Sequence, residues 1–386
     1  MKTKRLFLTI FLITLYASGC CEQPAAEMSD ATTVVTPSLS AEPSVTTPMV
    51  AEPDPTPETM PEHDSDNTTI SDSLPDGTTD QTNGPDTAVE TAPSSTTIQS
   101  ILQPNPYGSL SVPTQITKIG SDYFLVDCYH DQILASSDVN IPPAEWGVVT
   151  SAIHRGHTIA GNGSIYVADD TENHRLLVFE KTSEGFLQTQ VIENVGVRPH
   201  YVEYHEASNS FYVLSSQSGE LYVYKQEETS PTLCLDKILN IPEMQDIYIR
   251  SFTIDGDEIY FPASNGIILR ARLEDLQILE KWTLPPELAG LVQVVKIGDY
   301  YYLTISTDLY GNADYAGIIR TGDLSYLADY GYKDLHPLFA DTGTPYNISS
   351  FDGHYYLVQH SYLSGYGAWQ FDIIEDELEN VIALYP

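Results

Sequence analysis

The sequence predicts an all-β fold, a six-bladed β-propeller held behind a long unfolded N-terminal stretch. Three observations predict it. Residues 105–386 show almost no helical periodicity and read as short Tyr/Val/Ile-rich strands between Gly, Asp, Asn and Ser. Six units of this stretch follow one rule: an inner strand, a Gly/Asn/Asp turn, then an aromatic-aliphatic strand. Their spacing, roughly 42 to 54 residues, fits four-stranded propeller blades, which must stack in a ring to bury both faces.

Taken in order, the chain begins with Lys2, Lys4 and Arg5, an apolar run from Leu6 to Tyr16, then Ala17-Ser18-Gly19-Cys20. A basic start, a short hydrophobic segment and small residues before a cut make a secretory signal. The run is about half the ~20 residues of a membrane-spanning helix. Small residues ending at a cysteine resemble the bacterial lipoprotein box, which implies removal of residues 1–19 and lipidation of Cys20. Ala17 stands where that pattern usually has Leu, and Cys21 is the weaker alternative acceptor. The expected location is the cell membrane, lipid-anchored, on the extracytoplasmic side.

Residues 20–104 form the second segment. From Glu22 to Pro104 there is no Lys, Arg, Phe, Trp or Tyr, while Thr, Ser, Pro, Asp and Glu dominate. Such a composition cannot bury enough apolar surface to offset its ordering entropy, so this linker is expected to be disordered. As a flexible coil it would reach roughly 50 Å, and more with self-repelling charge. Its expected role is a tether that lifts a folded head away from the membrane.

The net charge is −37, and of 17 Lys and Arg three lie in the signal, leaving 14 for the head. An acidic surface argues against nucleic acid and against docking on anionic lipid, so the membrane is met only through the lipid. Cys128 and Cys234 are the two head cysteines, and a disulfide between them requires a proximity the sequence does not show.

The six second strands are Tyr123–Val126, Ile165–Ala168, Phe211–Leu214, Ile259–Pro262, Tyr301–Thr304 and Tyr355–Val358. In the second unit, Tyr166-Val167-Ala168-Asp169-Asp170 is followed by Asn173-His174-Arg175 and then Val178-Phe179. This closely resembles the NHL repeat, a propeller-blade unit. The first unit keeps a weaker form, with His130 for Asn173 and Gln132 for Arg175. The resemblance implies that Asp170 (or, one residue off, Asp169), Asn173 and Arg175 hold the hairpin and adjacent blades together.

Inner strands of a propeller line its channel. Nine residues before the aromatic of five second strands stand Gln115, His157, Ser251, Gln293 and Asn347, and the third unit aligns His200, twelve residues before Tyr212; all are polar, with Arg250 beside Ser251 and His154 before His157. A polar ring in a funnel suits a ligand, and equally suits a water-filled channel. Two histidines on neighbouring blades make His157 and His200 weak metal candidates, with Asn347, Gln115 or Gln293 as thirds, so a divalent metal is possible and no cofactor is firm. Propeller lactonases of the regucalcin type carry acidic ligands at the axis, and this ring has none.

The loops after the fifth and sixth second strands carry Tyr310, Tyr315, Tyr362, Tyr366 and Trp369. Rigid aromatic area between glycines suits a sugar or a peptide, and also suits tyrosines packed on one another. Asp308, Asn312 and Asp314 carry oxygens for Ca²⁺ without a recognised loop spacing. No Gly-x-Ser-x-Gly, His-Glu-x-x-His, phosphate loop or Cys-x-x-Cys occurs. The expectation is therefore an envelope-anchored binding propeller, its ligand a glycan or peptide at the channel mouth, its partner otherwise an envelope protein. The alternative is an envelope lyase or hydrolase with a His-containing, metal-assisted funnel.

Overall fold

The computed structural model describes residues 97–339, 343–360 and 367–385. The signal, Cys20, most of the expected tether, Tyr362 and Tyr366 lie outside the described residues.

Among the described residues, twenty-four strands form six four-stranded antiparallel sheets, each made of four consecutive strands. Blade one comprises β1 (Pro113–Ile119), β2 (Asp122–Asp127), β3 (Gln132–Ser136) and β4 (Gly147–Thr150). Blade two comprises β5 (Ile159–Gly161), β6 (Ile165–Asp170), β7 (Arg175–Thr182) and β8 (Gly185–Ile192). Blade three comprises β9 (Pro199–His205), β10 (Ser210–Ser215), β11 (Glu220–Gln226) and β12 (Leu233–Asn240). Blade four comprises β13 (Thr253–Asp255), β14 (Glu258–Ala263), β15 (Ile267–Arg272) and β16 (Ile278–Thr283). Blade five comprises β17 (Leu291–Ile297), β18 (Tyr300–Ile305), β19 (Gly317–Thr321) and β20 (Lys333–Asp334). Blade six comprises β21 (Thr344–Phe351), β22 (His354–His360), β23 (Ala368–Ile374) and β24 (Glu377–Ala383).

The hydrophobic core is distributed among the blade junctions. Six clusters each join two neighbouring blades; Phe124 and Val126 meet Ile159 and Tyr166 between blades one and two, for example. A blade's two faces are both apolar for this reason, and neither is buried until its neighbour stacks on it.

The inner strands are stitched by side chains that bond the next blade's backbone. Ile159 N donates to Gln115 Oε1 (2.8 Å), and Val202 N donates to Thr158 Oγ1 (2.8 Å). At the third junction Ser216 Oγ, just past the second strand β10, donates to Ile249 O (2.6 Å), and at the fourth Ser251 Oγ donates to Val292 O (2.6 Å). Gln293 binds Ile348 through both its amide groups, and Ser349 Oγ donates to Ile116 O (2.5 Å). Every junction has such a bond, including the last. Polarity on the inner strands is thus partly a requirement of assembly, since a buried backbone group without a partner is costly.

The ring closes without exchanging a strand. Blade six meets blade one through a cluster that includes Ile116, Leu134, Trp146, Tyr346, Tyr356 and Tyr385. Tyr385 Oη donates to Val139 O (2.8 Å), and Lys118 pairs with Asp352 (2.5 Å). Tyr385→Phe should lose about 1 kcal/mol, one hydrogen bond. Tyr385→Ala should lose about 3–5 kcal/mol by opening a cavity in the closure. Urea denaturation of the full chain checks both values. Equal losses would mean that the ring packs no closure function.

Residues 97–104, ahead of the boundary expected at 105, pack on blade one: Ile98 is buried, and Pro104 bridges Gly147. Cys128 is buried and Cys234 is exposed on an outer strand, and the two are not bonded to each other.

Candidate functional site

The hairpin motif explains itself at atomic detail. The Asp170 carboxylate is fully buried and accepts from His154 N (2.7 Å), Asn173 Nδ2 (2.9 and 3.0 Å) and Arg175 Nε (2.6 Å). Blade one repeats the arrangement with different chemistry. Asp127 accepts from Ser111 N (2.6 Å), His130 Nδ1 (2.8 Å) and Gln132 Nε2 (2.9 Å). The neighbouring Asp169 does another job: it accepts from His157 N, Thr158 N, Thr158 Oγ1 and Thr171 Oγ1. Burial lifts its carboxyl to about 6, against hydrogen bonds from Thr171 and Thr158 that pull it down.

The sequence-aligned ring resolves into two adjacent levels. Bulges at residues 114, 200, 292 and 346 insert one residue near the start of four inner strands. Gln115, Gln293 and Asn347 follow the bulge, whereas His200 is the bulge residue and Tyr201 its follower. Equivalent backbone bonds (Cys128 N to Val112 O, Ser216 N to Arg198 O, Ser264 N to Tyr248 O) set the register of the other blades. The upper level is Thr114, His157, His200, Arg250, Val292 and Tyr346. The lower level is Gln115, Thr158, Tyr201, Ser251, Gln293 and Asn347.

The upper level converges on the axis. The His157 and His200 rings stack with centroids 3.7 Å apart, and Tyr346 reaches them from across the ring at 6.1 and 6.5 Å. Both histidines are almost wholly buried, at 3 % and 1 % exposure. His200 Nδ1 lies 2.9 Å from Arg250 O, and its Nε2 lies 3.0 Å from Tyr248 Oη and 3.4 Å from Tyr346 Oη. His157 Nδ1 lies 3.0 Å from Thr171 Oγ1, and Cys128 Sγ lies 3.7 Å from its Nε2. Burial, then Arg198, His360 and Arg250, hold His157 neutral well below the usual imidazole range. The two stacked imidazoles form the floor of the channel here.

Around this floor stands a half-exposed rim. Arg155 lies over the Tyr129 ring at 3.8 Å. Arg198 and Arg250 flank the Tyr248 ring at 5.7 and 4.9 Å. Arg250 Nη1 donates to Ser306 Oγ (3.0 Å), and Arg198 pairs with Glu172 (2.8 Å). Arg155 and Arg198 are structural equivalents, each with positive φ and each two residues before a histidine. Three arginines, two histidines and three tyrosines thus gather at one mouth in a strongly acidic protein.

The blade-five loop is on the same face. Tyr310 is 83 % exposed and Tyr315 is also exposed, so both remain available. Asp308 accepts from Tyr310 N and Asn312 N, and Asn312 from Asp314 N, which makes these residues the loop's turn formers. Trp369 is a correction. It is the second residue of β23 rather than part of a loop, is only 7 % exposed, and packs edge-on to Phe339 at 5.9 Å between blades five and six.

Below the floor, the channel widens into a cavity of about 300 Å³ lined by Gln115, Tyr201, Glu203, Thr253, Gln293 and Asn347, among others. Glu203, nine residues before Tyr212 but left out of the aligned ring, is a channel residue; its carboxyl is raised to about 8 by desolvation. Among the described residues no cluster of three or more His, Cys, Asp or Glu has metal-binding geometry.

The NHL repeat profile matches residues 158–179, which is β6, the hairpin and most of β7 with the Asp170–Asn173–Arg175 knot. The chain is an NHL-like propeller. No curated protein sequence matches it. Solved structures similar to this propeller include two candidate 6-phosphogluconolactonases. The one from Bacteroides fragilis NCTC 9343 shares 13 % identity over 72 % of this chain and 85 % of its own, with TM-score 0.52. The one from Bacteroides uniformis ATCC 8492 shares 13 % identity over 69 % and 83 %, with TM-score 0.50. At this identity the likeness speaks to the NHL-like propeller's fold alone.

The sequence signal for the rim is short. Arg155-Gly156-His157 and Arg198-Pro199-His200 repeat an Arg-x-His step at the same blade position. Tyr248, Tyr346 and His360 have no comparable local signature and meet the histidines only through the ring.

Proposed function

We propose that this is a ligand-binding head, held on the extracytoplasmic face by a lipid on Cys20, with its site at the arginine–histidine mouth of the channel. One observation carries the reading. Side chains from blades two, three, four, five and six converge on a floor of paired imidazoles ringed by Arg155, Arg198 and Arg250. Arginine presents a planar fork to carboxylate or hydroxyl oxygens, and the tyrosines present flat apolar faces. That pairing fits an acidic glycan or an acidic peptide segment, with Tyr310 and Tyr315 reaching its flank.

The hydrolytic or lyase reading rests on a different feature, the imidazole–phenol contact of His200 with Tyr248 and the name borne by the Bacteroides structures. Incubating the full chain with an array of acidic glycans and peptides separates the two. Retention of an unaltered ligand supports the binding head; accumulation of a cleaved product by mass spectrometry replaces it with the enzyme.

Anchoring is tested apart from the ligand. Among the described residues no helix is long and apolar enough to cross a membrane, and the proposal assigns attachment to Cys20. Cys20→Ala should move the protein from the membrane pellet to the soluble fraction and abolish fatty-acid labelling. A labelled, membrane-bound variant would refute the assignment.

A further inference from the structure

We propose that the cavity beneath the histidine floor is a second site, which binds a small protonated primary amine with Glu203 as its counter-ion. The proposal stands apart from the mouth and does not depend on what the mouth holds.

The cavity is lined by the lower-level residues Gln115, Tyr201, Gln293 and Asn347, one residue along their strands from the level of His200 and Tyr346, and by Ile119, Gly161 and Tyr204. Its volume of about 300 Å³ is at the small end of ligand sites. Most polar lining groups are already engaged. Gln115 and Gln293 bond neighbouring strands, Thr253 and Ser349 donate to Val294 O and Ile116 O, and Tyr201 is held by Asn347 and Gln293.

Glu203 is the exception. Among the described residues its carboxyl has no hydrogen bond and no ion pair, and it lines the cavity from β9. The other titratable groups lining the cavity are Lys118 from β1 and Tyr201 and Tyr204 from β9. Lys118 sits at the rim bound to Asp352, so it does not serve as the counter-ion. A lone carboxyl in a space this size calls for a cation brought from outside.

The wall chemistry selects the kind of cation. Ca²⁺ takes six to eight oxygens and usually several carboxylates, and one carboxyl does not supply them. Tyr201, Ile119, Ile159, Val295 and Ile348 give aromatic and apolar surface beside the carboxyl, which suits an ammonium on a short carbon stem. The raised Glu203 carboxyl fits the same picture: an ammonium beside it would draw off its proton on binding.

The test is calorimetric titration of the full chain with n-butylamine, ethanolamine and 1,4-butanediamine, with n-butanol and KCl as the neutral and inorganic probes. The proposal expects saturable binding of at least one amine, none of n-butanol, and a loss of about tenfold or more in Glu203→Gln, an isosteric change. It also expects buffer-dependent heat from proton release at about pH 7. No amine binding up to ~10 mM, equal binding by Glu203→Gln, or equal binding of n-butanol would each overturn it. Saturation by K⁺ that excludes the amines would overturn it too, in favour of an inorganic cation site. Melting of the variant at about pH 5, where the wild-type carboxyl is also neutral, verifies that it folds.

Discussion

Asp170→Ala is expected to cost about 3–5 kcal/mol, a large share of a domain's net stability. The carboxylate is fully buried and gathers four hydrogen bonds from His154 N, Asn173 and Arg175. Removing it leaves the Arg175 guanidinium beside an apolar methyl and leaves an amide and a backbone N–H without acceptors. Each such group carries its own desolvation penalty. Asp170→Asn should lose less, because the amide oxygen still accepts from Asn173 or His154 N while its nitrogen faces Arg175. The two variants, compared with wild type by urea denaturation of the full chain, should rank in that order. A loss below about 1 kcal/mol for alanine would mean that the knot does not hold the blade.

Glu203→Gln is expected to stabilise the protein in alkali and to do little in acid. The folded-state carboxyl is raised to about 8 from 4.5 by desolvation. Below about pH 4.5 the group is neutral in both states and contributes nothing differential. As pH rises toward 8, the unfolded chain ionises while the folded one holds its proton, so stability falls across that window. Glutamine removes the loss. Water reaches the channel and softens the effect, so the gain at about pH 9 should be about 2–4 kcal/mol. Melting temperatures of both proteins from acid to alkali check this. Parallel curves would show that the carboxyl is not desolvated.

The fold was readable because blades repeat. Strand rhythm, the turn residues and the Tyr166–Phe179 motif each gave local signals, and these multiplied around the ring. Among the described residues the structure confirms six blades of four strands and no α-helix. Closure was not readable, because Tyr385 and Val139 are 246 residues apart and meet only in the assembled ring.

The site was half readable for a similar reason. Counting nine back from an aromatic placed His157, and a looser alignment of the third unit placed His200 in place of Glu203, while a single-residue bulge decides which level a side chain occupies. Period-two alternation makes a one-residue error a change of face, and so Tyr201 and Glu203 were passed over. Trp369 was misplaced because a strand that begins right after a Gly- and Ser-containing stretch of sequence reads as a continuation of that stretch. Polarity itself misled in part: Gln115, Ser251 and Gln293 are polar because they bond the next blade.

The central claim is that ligand is held at the arginine–histidine mouth. The most direct measurement is the affinity of a ligand selected from the acidic glycan and peptide array for the full chain, for Arg198→Ala/Arg250→Ala, and for Glu203→Gln as the control at the channel's other end. The double variant should bind at least about a hundredfold more weakly, with affinity in the wild type falling as salt rises, and Glu203→Gln should bind as wild type does. Unchanged affinity in a folded double variant, or a loss confined to Glu203→Gln, would contradict the account.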